Sequence, residues 1–252
     1  MNAMPSISVV IPIRNRAGLR LENCLRSIGW QRYDGSVEVV LSDFGSDAAE
    51  AVALAALAER HGARLVRTET SALWNRARAL NLGIQASSGD LVLCTDADML
   101  FSPDFLSAVA GAHAAAADHG LVLCRCHDLP AGAVEHAAAL AEFDDLRARS
   151  EVRQTSGTGA CQAAKRSFFC AVRGYDEAFV YWGAEDNDMV HRAGRYGLKA
   201  VWLDETPAML HQWHTTMKND RPLRRKWNSW RYKLTKWQVV KNRGGWGNEP
   251  AG

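Results

Sequence analysis

The chain reads as an α/β protein built on a mainly parallel central sheet, and three observations carry that expectation. Short apolar, β-rich runs ("ISVVIPI", "VEVVL", "LVLC") recur along the first hundred residues. Segments with helical periodicity separate them, the alternation that marks a parallel sheet. The runs end in polar clusters, Arg14-Asn15-Arg16, Asp43 and Asp96-Ala97-Asp98, at the carboxyl ends of strands where such sheets place their ligand crevice.

Taken in order, residues 7–13 form the first strand, and Leu19, Leu21, Cys24, Leu25 and Ile28 mark a helix after the loop "RNRAG". "VEVVLSDFGSD" repeats the plan as a buried strand and a Gly/Ser/Asp turn. "AAEAVALAALAERHG" is an Ala-rich helix closed by Gly62, "ARLVR" a short strand, and "ALWNRARALNLGIQASSG" a helix ending near Gly89. "DLVLCTDADM" is a strand running into acidic residues. The second half is less regular, with short strands at 161–165, 200–203 and 208–212.

With 252 residues, 47% hydrophobic and 23% charged, the chain has the composition of a globular domain. No run is long enough to span a membrane. The first residues lack a basic leader, so no signal peptide is expected. The six cysteines form no CxxC pairs, and we expect reduced thiols in a cytoplasmic protein.

Three stretches carry chemistry. "CTDADML" sets Asp96 and Asp98 directly after a strand, where paired carboxylates bind a divalent cation that also grips phosphates. A lone Asp-x-Asp is equally an ordinary loop. "MLHQWH" offers His211 and His214 at i, i+3, a metal-binding spacing or one packed and one surface histidine. "VYWGAEDNDMVHR" crowds Glu185, Asp186 and Asp188 behind Tyr181, Trp182 and Gly183. Acidic residues favour any first helical turn, yet the same cluster beside a Trp suits an acid/base site on a sugar.

These stretches resemble GT-A-type glycosyltransferases, most closely the β-1,4-galactosyltransferase family and the related chondroitin-polymerase-type domains. "VVIPIRNRAGLRLENCL" is similar to the family's first strand and nucleotide loop, "LWNRARALNLGIQAS" to its Phe-Asn-Arg-Ala-Lys block, "TDADM" to its Asp-x-Asp element. "YWGAEDNDMVHR" resembles its Trp-Gly-Gly-Glu-Asp-Asp-Asp element, and "HQWH" before "KNDRP" its Met-x-x-His. The five blocks occur in family order over roughly residues 6–222.

The resemblance implies a Rossmann-like GT-A catalytic domain over residues 1–220. It implies that Pro12, Arg14, Arg16, Asp43, Trp74, Arg76, Asp96, Ala97 and Trp182 bind the nucleotide sugar. Asp98, His211 and His214 are implied metal ligands for Mn2+ or Mg2+, with His211 standing in for a family Met. Asp186 is the implied general base and Glu185 the acid that holds acceptor hydroxyls; Trp182 and Gly183 complete the acceptor side. Phe44 stands where many relatives carry Asp, Ala184 replaces a Gly and Asn187 an Asp. An alignment of "SGTGACQAAKRSF" places Ser156 where a bulky Tyr crowds the donor C2 substituent, which leaves room for an N-acetyl group.

Residues 221–252 form a basic, Trp-rich tail. Between Arg221 and Lys241 stand eight basic residues and no acid, leaving a net charge of about −6 elsewhere. Leu223, Trp227, Trp230, Leu234 and Trp237, spaced 4, 3, 4 and 3, make one stripe of an amphipathic helix. Such a helix lies in an anionic membrane surface or packs its stripe on protein. A nucleic-acid role is not expected, because the basic cluster is confined to this tail.

The reading is a metal-dependent, inverting glycosyltransferase, cytoplasmic or peripheral at the inner membrane face. It moves a sugar from a UDP-sugar to a saccharide or glycolipid acceptor in surface-glycan (polysaccharide) biosynthesis. Alternatives are a transferase acting on a protein or small metabolite, a nucleotide-sugar hydrolase or pyrophosphorylase, and a non-catalytic glycan-binding protein.

Overall fold

The computed structural model describes residues 4–154, 157–203, 208–215 and 221–247. Its elements run β1 (Ile7–Ile13), α1 (Leu19–Gly29), β2 (Val37–Phe44), α2 (Ala48–Arg60), β3 (Arg64–Thr68), α3 (Arg76–Ala86) and β4 (Leu91–Cys94). They continue with β5 (Met99–Phe101), α4 (Phe105–Ala115), β6 (Gly120–Cys124), β7 (Cys126–Asp128), α5 (Phe143–Ala148), β8 (Glu151–Val152) and β9 (Gln162–Lys165). Last come α6 (Arg166–Ala171), α7 (Glu185–Tyr196), β10 (Lys199–Leu203), β11 (Met209–His211) and α8 (Pro222–Thr235).

Among the described residues the larger sheet has the order β10-β6-β9-β4-β1-β2-β3. It is parallel except at β9, which runs antiparallel to β4 and β6. All seven residues of β1 are buried, as an unbroken apolar run requires of a strand covered on both faces. One apolar cluster gathers α1, α2 and α4 on one face, around Leu21, Leu57 and Phe105. The other gathers α3, α6 and α7 around Leu80, Phe169 and Met189. Helix starts follow local chemistry: Asp47 accepts a hydrogen bond from the Glu50 N–H at α2, and Asn75 from the Arg78 N–H at α3.

A second sheet, β5-β11-β7-β8, consists of strands of two or three residues. Strand β11 falls within the run expected at 208–212, whereas β5, β7 and β8 are too short to leave a periodic signal in sequence. This sheet sets the geometry of the site, because it pairs His211 with Met99 on one side and with Asp128 on the other. All six cysteines are free thiols, five of them buried. No helix of the described residues is long and apolar enough to cross a membrane.

Candidate active site

Asp98 ends the loop between β4 and β5, and β11 runs antiparallel to β5, so the Asp-x-Asp element and the two histidines meet by register. The backbone bond from the Gln212 N–H to Asp98 O, 2.9 Å, fastens the two segments. His214 Nε2 lies 3.1 Å from Asp98 Oδ2, His211 Nε2 3.9 Å from Oδ1, and Arg16 Nη1 3.7 Å from Oδ2. Burial pushes the Asp98 carboxyl up, but the His214 hydrogen bond and the charges of His211, His214 and Arg16 outweigh it and hold it below its ordinary value. The hydrogen bond to Asp98 in turn raises His214.

One carboxylate and two imidazoles, with ligand atoms all within 4.8 Å of one another, form a donor set for a divalent cation. Asp98 Oδ1 is buried and makes no hydrogen bond, an oxygen that a cation would satisfy. Behind the cluster Asp128 Oδ1 lies 3.0 Å from His211 Nδ1, leaving Nε2 to face Asp98. Arg153 grips Asp128 through both of its carboxylate oxygens, its Nε at 2.9 Å from Oδ2. A carboxylate on the far nitrogen fixes the ring and tautomer of a metal-binding histidine. A cleft of about 440 Å3 opens beside Asp98, walled by Asn15, Arg16, Pro130, Glu135 and Trp213.

Arg76, the first residue of α3, links this cluster to the acidic helix. Its Nε and Nη2 donate to Asp96 Oδ1 at 3.0 and 2.8 Å, and Nη2 also donates to Gly159 O at 2.8 Å. Its Nη1 is buried without a hydrogen bond and lies 3.8 Å from Glu185 Oε1. Burial alone would lower the guanidinium, but the charges of Asp96 and Glu185 raise it instead, so it stays positive.

The three carboxylates of the opening turn of α7 part company. Burial, then the charge of Asp186, pushes Glu185 from its ordinary 4.5 up to about 7, against the pull of Arg76. Asp186 is half-buried; Thr158 Oγ1 donates to its Oδ2 at 3.3 Å and the Asn187 N–H to its Oδ1 at 2.8 Å. Asp188 turns away into the interior and pairs with fully buried Arg192 at 2.8 Å. Gln162 of β9 anchors the helix start, donating to Asp186 O at 2.9 Å while accepting from Tyr175 OH.

The loop before α7 is tightly wound. Tyr181 (φ 77°), Gly183 (φ 103°) and Ala184 (φ 77°) are all left-handed, a region that costs a residue with a Cβ about 1–2 kcal/mol. That strain at two non-glycine positions, next to Glu185 and Asp186, is the kind stored at functional sites. Trp182 is left exposed between them.

On the strand-end side, Pro12 is buried and Arg14 donates to Ala72 O at 2.6 Å. Ala97 is buried between the two Asp residues. Asp43 is fully buried, with one oxygen accepting from the Ser46 N–H (3.0 Å) and the other from Arg67. Trp74 packs edge-on to Phe44, centroids 6.4 Å apart, which gives that Phe a core role. The structure thus gathers Arg16, Asp98, His211 and His214 in one cluster, and Arg76, Asp96, Glu185 and Asp186 in a second. Asp43 and Trp74 sit at the ends of neighbouring elements. Ser156 lies outside the described residues. Sequence reading missed Asp128, Arg153 and Arg67, because each is defined by a cross-strand neighbour and by no local motif.

Residues 8–155 match the model of glycosyl transferase family 2. That is more than half of the chain, and the chain belongs to this family. Residues 138–215 also match the family described as the N-terminal domain of galactosyltransferase. An N-acetylglucosaminyltransferase of Rhizobium leguminosarum bv. viciae is 32% identical over 109 residues, 43% of this chain and 26% of that protein. A validoxylamine A glucosyltransferase of Streptomyces hygroscopicus subsp. jinggangensis is 27% identical over 238 residues, 81% of this chain and 56% of that protein. The chain therefore spans about a quarter of the first and just over half of the second.

Among solved structures, the mannosyltransferase PcManGT from Pyrobaculum calidifontis, in complex with GDP-Man and Mn2+, is similar at a TM-score of 0.60 and 21% identity over 94% of this chain and 64% of that one. GalNAc-T7 with UDP, GalNAc and Mn2+ is similar at a TM-score of 0.65 and 16% identity over 84% of this chain and 44% of that one. These likenesses establish the GT-A fold.

Proposed function

We propose that the chain transfers a sugar from a UDP-sugar to a saccharide hydroxyl, with a divalent cation and with inversion at the anomeric carbon. The observation that carries this reading is Arg76, which spans Asp96 of the strand-end acid pair and Glu185 of the acid helix within 4 Å of each. It joins a phosphate-binding side and an acid/base side into one site. Asp98, His211 and His214 would hold a divalent cation, Mn2+ or Mg2+, which would supply charge neutralisation for the departing diphosphate.

The chain's own residues do the rest. Pro12, Arg14, Asp43 and Trp74 wall the nucleotide, Ala97 and Asp96 border the donor, and Arg16 with the buried Nη1 of Arg76 faces its diphosphate oxygens. Trp182 and Gly183 line the acceptor, and Trp182 also meets the donor sugar. Glu185, protonated below about pH 7, donates to an acceptor oxygen, while Asp186 accepts the proton of the attacking hydroxyl. The new C–O bond forms as the bond to the diphosphate oxygen breaks, on the opposite face of the sugar.

A panel of nucleotide sugars with detection of released nucleotide, with and without Mn2+ and a saccharide acceptor, tests the reading. Acceptor-stimulated, Mn2+-dependent release of UDP is expected. Release that ignores the acceptor assigns a hydrolase, release of GDP alone overturns the donor, and no release with any donor favours a glycan-binding role.

A further inference from the structure

Helix α8 is docked by its polar side. Asn228 is its buried residue, and its Nδ2 donates to the carbonyls of Val180 and Trp182, at 3.0 Å each. Arg231 pairs with buried Asp176 at 2.9 Å, and the buried Lys241 ammonium donates to Thr235 O at 2.8 Å while facing Asp176 at 3.2 Å. The apolar stripe lies roughly 100° round the helix from this anchoring face, at 3.6 residues per turn. Leu223, Trp227, Trp230 and Leu234 are accordingly between 52% and 79% exposed. The Trp227 and Trp230 rings lean together at 5.1 Å, and Trp237, just past the helix, is exposed as well. The helix therefore does not bury its stripe on the body of the protein, one of the two outcomes its pattern allowed.

Arg224, Lys226 and Lys233 are exposed on the same helix, within a segment that carries eight cations and no acid, of which Arg231 and Lys241 are paired with Asp176. This charge selects the occupant. A second copy of the chain would set like charges against each other around the stripe. A nucleic acid would neutralise the cations and leave the leucines without an apolar partner. Anionic headgroups take the cations while the headgroup–acyl boundary takes Trp and Leu. We propose that α8 docks on an anionic membrane surface, lying in its plane. The docking surface adjoins the loop before α7, since Asn228 is bonded to that loop and the Arg225 guanidinium lies 5.5 Å over the Trp182 ring.

Co-sedimentation of the full chain with phosphatidylglycerol-containing and pure phosphatidylcholine vesicles tests this, compared with the variants Trp227→Ala/Trp230→Ala and Arg224→Gln/Lys226→Gln/Lys233→Gln. All these positions are exposed, and circular dichroism identical to the parent's checks the fold. The expected result is binding to the anionic vesicles that weakens with salt. It should fall at least ten-fold in the double Trp variant and about five-fold for each charge removed in the other. Recovery no greater on anionic than on neutral vesicles overturns the proposal, as does binding that the Trp substitutions leave unchanged. Concentration-dependent dimerisation without vesicle binding overturns it in favour of a second copy. None of these readouts depends on sugar transfer, so they stand or fall apart from the proposed activity.

Discussion

Glu185, Asp186 and Asp188 look interchangeable in the string "AEDND", yet their surroundings give them separate work. Asp186, with hydrogen-bond donors on both oxygens, is the proposed base, and Asp186→Asn should lower kcat about 10²–10⁴-fold while leaving the melting temperature and UDP binding near the parent's. Asp188 neutralises Arg192 inside the fold, both fully buried. Asp188→Asn should therefore cost about 3 kcal/mol of stability, read from denaturant unfolding. Glu185 gives a pH signature. Its folded value of about 7 lies above the 4.5 of an ordinary Glu, so the folded state holds a proton that the unfolded chain releases. Stability contributed by this group is present at pH 4–5 and declines as pH rises through 7, by up to about 3 kcal/mol. Glu185→Gln should flatten that decline in a series of melting curves; an unchanged slope would place the proton elsewhere.

At the scale of elements, the site depends on register more than on motif. The strands with continuous apolar runs, β1, β2 and β4, were legible, as were α1 to α3, and so was the position of Asp96 and Asp98 at a strand end. The small sheet was not legible as a sheet. Strand β11 was legible within 208–212, but β5, β7 and β8 carry no period, and only the pairing reveals that Asp128 stands beside His211. Arg67 escaped for the same reason, since its role is to meet Asp43 across β2 and β3. The stripe of α8 was read correctly as a stripe, but the pattern could not say which face docks. That was decided by one buried Asn and two ion pairs to Asp176, interactions invisible to a hydrophobic period. Register also has a measurable consequence. Asp128→Asn keeps the size but weakens the hold on His211 Nδ1, and calorimetry should show Mn2+ affinity falling about 10–100-fold with Asp98 intact. An unchanged affinity would leave Asp128 a purely structural partner of Arg153.

For the molecule as a whole, the parallel sheet delivers Asp43 and Asp96 to one edge, the small sheet closes the two histidines onto Asp98, and α7 brings its acids against Arg76. The chain after α8 returns to the body: Asn242 donates to the carbonyls of Arg173 and Tyr175, and Trp246 packs on the cluster under α7. The helix with the exposed stripe is thus held through Asn228 and Arg231 in its middle and second half and through Lys241 and Asn242 in the chain that follows it, and Asn228 braces the loop before α7 from outside. Asp98, His211 and His214 are proposed to form a metal centre that binds the donor's diphosphate. Titration calorimetry of UDP into the full chain, with Mn2+ and with the metal chelated, tests it most directly when repeated on Asp98→Ala. Mn2+-dependent UDP binding is expected in the parent and its loss in Asp98→Ala; equal UDP affinity in both proteins, or binding indifferent to the metal, would rule the metal centre out.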